Sequence, residues 1–157
     1  MRLALFQPDI PQNLGASLRL GACLAIPVDV IEPCGFPLSD TAVRRAAMDY
    51  GALAEVKRHA GWADFLAAPE RQAGRLVLFT TRGSVPFHKF RFSRGDTLIF
   101  GRESAGAPDE VHAAAQARLF IPQASKTRSL NVVASAAMAL SEALRQTRGF
   151  PTTSPSG

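Results

Sequence analysis

The run Leu98-Ile-Phe-Gly-Arg-Glu-Ser-Ala-Gly106, taken with Phe120-Ile-Pro-Gln-Ala-Ser-Lys-Thr-Arg-Ser-Leu-Asn131, decides the fold. Each half reads as a buried strand that gives way to a polar, turn-forming loop and then to a helix. Backbone amides and polar side chains therefore collect at strand ends, where open α/β sheets bind their ligands.

The rest of the chain extends this pattern. Strand-like runs at Leu3 to Phe6 and Val28 to Ile31 alternate with helical stretches at about Pro11 to Ala25 and Asp40 to Met48. That order predicts βαβα units and a parallel sheet with helices on both faces. Further strands are expected at Ala54 to Lys57, Leu76 to Thr80, Thr97 to Phe100 and Arg118 to Ile121, with helices at Trp62 to Ala67 and Val132 to Thr147. Arg82 to Asp96 shows no period and reads as a long basic loop, either functional or a solvated connector. Residues 1–150 read as one domain without internal repeats, and Pro151 to Gly157 as a disordered tail.

At 157 residues a single core suffices without staples. The longest apolar runs fall far short of the roughly 20 residues that cross a bilayer, and Arg2 to Pro8 does not resemble a signal peptide. These features predict a cytoplasmic protein with no membrane partner. Cys23 and Cys34 lack CxxC spacing and are expected to be reduced and structural, while His59, His88 and His112 lack metal-ligand spacing, so no metal is implied. The net charge of +5 favours a polyanionic partner. Fifteen of the eighteen basic residues are arginine, which suits bidentate phosphate contacts, although GC-rich coding produces the same excess.

Three segments could carry chemistry. Asn13 to Arg19 opens the first helix; Asn13 is expected to cap it, and Leu14, Leu18, Gly21, Ala22 and Ala25 share one face. Arg19 lies on another face with Gly15, Ala16 and Cys23, either open to a closely packed backbone or phosphate or simply solvated. Gly101 to Gly106 matches neither GxGxxG nor a phosphate loop, but its glycines admit close approach beside one acid, Glu103, which also reads as an ordinary surface carboxylate. Lys126 to Asn131 brings two cations and two hydroxyls to the last helix, where Asn131 or Ser129 could cap and an anion could bind. In that helix Val133, Ala137, Leu140 and Leu144 share one face, and a second small-residue face suits either internal packing or another subunit.

Asn13 with Arg19, Phe100-Gly-Arg-Glu-Ser-Ala-Gly106, and Ile121-Pro with Ser129-Leu-Asn131 resemble the three ordered motifs of the SPOUT RNA methyltransferases. Ile31-Glu-Pro-Cys-Gly-Phe36, Arg44-Arg45 with Met48-Asp-Tyr50, and Leu78-Phe-Thr-Thr-Arg-Gly83 extend the likeness almost to Phe150. The resemblance implies a C-terminal trefoil knot, a homodimer, and S-adenosylmethionine held in the knot and released as S-adenosylhomocysteine. It further implies methyl transfer to the 2'-hydroxyl of the wobble nucleotide in a tRNA anticodon loop, with no DNA partner. The other readings are 2'-O-methylation of another RNA, such as ribosomal RNA, and a non-catalytic RNA-binding module.

Carried over, the likeness assigns cofactor contacts to Phe79, Gly101, Ile121, Ser129, Leu130 and Asn131. It assigns catalytic roles to Arg19, Asn13 and Glu103, with Arg19 beside the target ribose. An arginine whose pKa exceeds about 12 positions the ribose and a phosphate better than it accepts a proton. RNA phosphates are expected on the loop Arg82 to Asp96 and on Arg44, Arg45, Lys57 and Arg58. Two positions depart from the pattern: Ser141 stands where some relatives carry tyrosine, and Arg102 where close relatives carry proline.

Overall fold

The computed structural model describes residues 1–39, 41 and 55–152. Seven strands form one parallel sheet among these residues: β1 (Arg2–Phe6), β2 (Val28–Ile31), β3 (Val56–His59), β4 (Leu76–Phe79), β5 (Val85–Pro86), β6 (Thr97–Phe100) and β7 (Ala117–Phe120). Their spatial order is β3-β2-β1-β6-β4-β7-β5. The helices are α1 (Pro11–Leu24), α2 (Trp62–Ala67), α3 (Pro69–Gln72), α4 (Asp109–Ala114) and α5 (Val132–Thr147), with a 3-10 turn at Phe87–Lys89.

Near-continuous apolar strands are what a sheet covered on both faces requires. Leu3 pairs with Val28 and Leu98, and Leu5 with Val30 and Phe100, so these residues point to one face. There they meet Leu14 and Leu18 of α1 and Ala136, Leu140 and Leu144 of α5. Alternating residues Ala4, Phe6, Ile31, Leu78 and Ile99 meet Phe65 of α2 and Val111 of α4 on the opposite face. The buried carboxylate of the sheet is paired: Asp29 accepts from Arg2 (2.7 Å) and lies 2.8 Å from His59 Nε2.

The structure corrects several expectations. β3 begins two residues later than expected, because its register places Val56 beside Val28 and buries His59 beside Ile31. The basic loop contains β5 and the 3-10 turn, since Val85 and Pro86 find an open edge on β7. α3 and α4 were not expected. Asn13 does not cap α1: Pro11 starts the helix, Ile10 occupies the cap position, and Asn13 lies two positions inside. The buried stripe of α5 runs through Ala136, Ala139, Leu140, Ala143 and Leu144, leaving Val133 and Ala137 half-buried. Cys23 is exposed and therefore has no packing role, whereas Cys34 is half-buried. The expected helix at Asp40 to Met48 and most of the tail lie outside the described residues.

One connection matters for the site. β4 and β5 follow each other in sequence, yet β7 lies between them. The connection runs along the end of β7, with the Thr80 amide donating to Leu119 O (2.9 Å) and the Ser84 amide to Arg118 O (3.1 Å).

Candidate active site

A cavity of about 570 Å³ opens at the C-terminal ends of β4, β6 and β7. Its volume lies within the range of ligand pockets, roughly 300–1,000 Å³. Phe79 and Phe100, stacked with centroids 4.9 Å apart, form part of the wall. Of the nine residues singled out from sequence, Asn13, Phe79, Gly101, Glu103, Ile121, Ser129, Leu130 and Asn131 line this cavity. Arg19 does not. It is exposed on α1, on the face that also carries the exposed Ala16 and Cys23.

The loop after β6 folds back on itself. Arg102 and Gly106 exchange two backbone hydrogen bonds (3.1 and 2.8 Å), and Gly106 takes a left-handed φ of 69°. Gly101 lies so close beneath this turn that a Cβ there would come 2.3 Å from Ala107 N and 2.4 Å from Gly106 C. Arg102 donates from its guanidinium to Gln7 Oε1, which ties this cation to the end of β1.

Glu103 is the centre of a polar network that also contains Asn13 and Asn131. Its Oε1 accepts from Asn13 Nδ2 (3.2 Å) and its Oε2 from the Asp9 amide (3.1 Å). Asn131 Nδ2 donates to Asn13 Oδ1 (3.0 Å). Asn131 Oδ1 caps α5 by accepting from the Val133 and Ala134 amides (2.8 and 3.4 Å). Of the two candidate caps for α5, Asn131 thus fills the role, and Ser129 remains an exposed member of the cavity lining. Burial first, and then the adjacent Asp9 carboxyl, push Glu103 above the ordinary carboxylate range. Hydrogen bonding with Glu103 holds Asp9 below it, assisted by Ser104, whose hydroxyl donates to Asp9 Oδ2. Asp9 was missed from sequence because it is an isolated acid 94 residues from its partner.

The lining fits a ligand with a flat apolar part and a polar chain. Phe79, Ile121 and Leu130 supply apolar surface, while Ser129, Glu103 and the asparagines supply polar groups. Across residues 122–130 the described structure holds one backbone–backbone hydrogen bond, from the Thr127 amide to Ala124 O (3.4 Å). The other amides and carbonyls of that loop remain for water or a ligand. S-Adenosylmethionine, with an adenine ring and an amino-acid chain, meets both requirements.

Some expected RNA contacts are weakened by the structure. Lys57 pairs with Glu70 (2.9 Å) and Arg58 with Glu32 (2.9 Å), so both charges are already partnered. Arg44 and Arg45 lie outside the described residues. No helix among the described residues is long and apolar enough to cross a membrane.

Residues 1–141 match the SpoU rRNA Methylase family. A tRNA (cytidine(34)-2'-O)-methyltransferase of Beijerinckia indica is 52% identical over 144 residues, covering 92% of this chain and 90% of the relative. One from Ancylobacter novellus is 48% identical, covering 98% and 97%. A solved structure concerned with the 2-OH methylation of C/U34 on tRNA is 40% identical with a TM-score of 0.83, covering 92% of this chain and 94% of that one. An AdoMet-bound rRNA methyltransferase from Sinorhizobium meliloti is 29% identical with a TM-score of 0.79, and the match spans 92% of this chain but 55% of that one.

Proposed function

The chain belongs to the SpoU methylase family, and from its similarity to cytidine-34 methyltransferases within it we propose that it methylates the ribose 2'-hydroxyl of nucleotide 34 in tRNA. The supporting observation is convergence: Asn13, the Gly101–Gly106 turn and the Ile121–Asn131 loop, far apart in sequence, line one cavity. The same residues carried the likeness in the sequence, and the similarity to cytidine-34 methyltransferases extends over nearly the whole chain.

In this reading S-adenosylmethionine would supply the methyl of its sulfonium to the ribose 2'-oxygen, the S–C bond breaking to give the neutral thioether S-adenosylhomocysteine while the hydroxyl proton passes to water or another group. Phe79, Gly101, Ile121, Ser129 and Asn131 would hold the cofactor, with Leu130 beside its adenine. Glu103, Asn13 and Asn131 act together, because their hydrogen bonds lock the turn after β6 to the starts of α1 and α5. Such rigidity matters for in-line transfer, where a misplacement of about 1 Å costs on the order of a hundredfold in rate. The same preorganised polar groups need not reorient as the site loses charge during transfer.

Arg19 positions the ribose and a neighbouring phosphate, and it reaches the site from a second subunit. Arg19 lies outside the cavity of its own chain, so in this reading the homodimer is what brings it to the site. α1 and α5 pack together and present an exposed surface of Ala16, Cys23, Ala134 and Met138, with Met138 41% exposed. The C-terminal trefoil knot belongs to the same reading, supported by the position of β7 between β4 and β5. So do a single domain through residue 150 and a cytoplasmic location.

The test is incorporation of labelled methyl groups into unmodified tRNA, followed by nucleoside mapping. The expected result is a single 2'-O-methylated nucleotide at position 34. No incorporation into any RNA at saturating cofactor refutes the enzyme, and labelling elsewhere refutes the substrate.

A further inference from the structure

Away from the cavity, the segment before β6 and the end of α5 are joined into one basic surface. Gln146 makes the join: its Oε1 accepts from the Phe92 amide (2.9 Å) and its Nε2 donates to Phe90 O (2.9 Å). Beside it Arg94 Nε donates to Thr147 O (3.2 Å). Lys89, Phe90, Arg91, Phe92 and Gln146 line a shallow groove here, and the exposed Arg94 and Arg148 flank it.

The charge of this surface is unbalanced. Lys89, Arg91, Arg94 and Arg148 are exposed and have no carboxylate partner among the described residues. The two neighbouring acids are already engaged. Asp96 is buried and pairs with Arg75 (2.7 Å), and Glu142 pairs with Arg145 (2.8 Å). That second pair holds the Glu142 carboxyl down at about 2. Phe90 gives the groove a rigid floor, with Arg75 stacked 4.8 Å from its ring centre and Phe92 edge-on at 5.0 Å.

Cations near a helix C-terminus also complement its dipole. That accounts for Arg145 and Arg148, which belong to or cap α5, but not for Lys89, Arg91 and Arg94. Position supplies the remaining argument. α5 begins at the cavity with Val132 and ends here, and its 16 residues span about 24 Å. A ligand that reacts at the cavity reaches this surface only if it is extended, and the unbalanced positive charge here suits a polyanion.

We propose that Lys89, Arg91, Arg94 and Arg148 bind the phosphate backbone of the RNA substrate outside the loop that carries the reacting nucleotide. This rests on the methyltransferase reading for the identity of the RNA, not for the existence of the site. Phosphate contacts of this kind add affinity and orientation without reading sequence, and each neutralised phosphate contributes roughly 0.7–0.9 to the salt slope of binding.

The experiment compares wild-type protein with Lys89→Gln/Arg91→Gln/Arg148→Gln, using a full-length tRNA transcript and its isolated anticodon stem-loop at several salt concentrations. A second variant, Lys89→Glu alone, guards against a folding defect in the first. For full-length tRNA, the triple variant is expected to bind roughly tenfold more weakly, with a salt slope lower by about 2–3. Stem-loop binding and S-adenosylmethionine affinity should remain within about twofold of wild type. Unchanged binding and slope for full-length tRNA in both variants overturn the proposal, as does an equal loss on the stem-loop. If wild-type protein methylates no RNA while the variants still lose the salt-dependent contact, the enzymatic reading fails and the binding surface stands.

Discussion

Gly101→Ala is the sharpest probe of the cavity, because the expected damage follows from the geometry. The new Cβ would lie 2.3 Å from Ala107 N, 2.4 Å from Gly106 C and 2.8 Å from Gly106 O. Carbon contacts settle at about 3.5–4.0 Å, so the turn must retreat by roughly 1 Å. All three atoms are backbone, and a rotamer change cannot relieve the clash. The turn is closed by its own hydrogen bonds and tied through Glu103 to the Asp9 amide and to Asn13, so it moves as a unit. Overpacking of this kind costs about 1–3 kcal/mol, and here it falls on a wall of the binding cavity. S-Adenosylmethionine affinity should drop by roughly 10- to 100-fold. Calorimetric titration measures the loss, with a thermal melt reporting whether the fold survives. A dissociation constant within about twofold of wild type, in a protein with an unchanged melt, would refute the packing argument and the location of the cofactor site.

Three further perturbations separate the roles of neighbouring residues. Asn131→Ala removes the cap of α5 and should cost about 0.5–2 kcal/mol of stability in urea unfolding, whereas Ser129→Ala should leave unfolding unchanged and weaken cofactor binding; the opposite pattern would exchange their assignments. Arg19→Ala should lower methyl transfer by about a hundredfold or more with cofactor affinity within a few fold, and mixing it with Gly101→Ala protein should recover part of the activity if the site is shared between subunits. No recovery from a mixture shown by mass to contain heterodimers would exclude the shared site. Because Glu103 is raised in the folded protein, the folded state holds its proton more tightly, so this group's contribution to stability falls as pH rises from the ordinary carboxylate pKa through the raised one. Glu103→Gln should remove that decline, and melting curves parallel to wild type from about pH 4 to pH 7 would show that Glu103 is not perturbed.

The elements easiest to read from sequence were those whose own pattern determines them. β2, β6, α2 and α5 have the anticipated boundaries, because apolar runs and helical spacing are local signals. The elements missed depend on remote partners or weak starts. β5 is two residues long and exists because β7 offers an edge. α4 had a readable signal, Pro108 followed by Asp109 and Glu110 in its first turn, but only one turn and a half of helix follows. At the site, the residue types were legible and their connections were not. Asn13 had the chemistry of a cap, yet Pro11 claimed the helix start and freed its side chain to link Glu103 with Asn131. Asp9 carried no sequence signal because its effect arises only when folding places it against Glu103.

The insertion of β7 between β4 and β5 also sets the order in which the molecule can become functional. Residues 82–96 are synthesised before β7, but among the described residues the strand they contain pairs in the sheet with β7 alone. The cavity takes lining residues from the end of β4, the end of β7 and the start of α5. Any nascent or truncated chain ending before about residue 120 therefore holds one wall of the cavity but lacks the wall that the end of β7, the loop after it and α5 supply, together with the core residues of α5. Cofactor binding therefore reports that the last strand and the helix after it have both arrived.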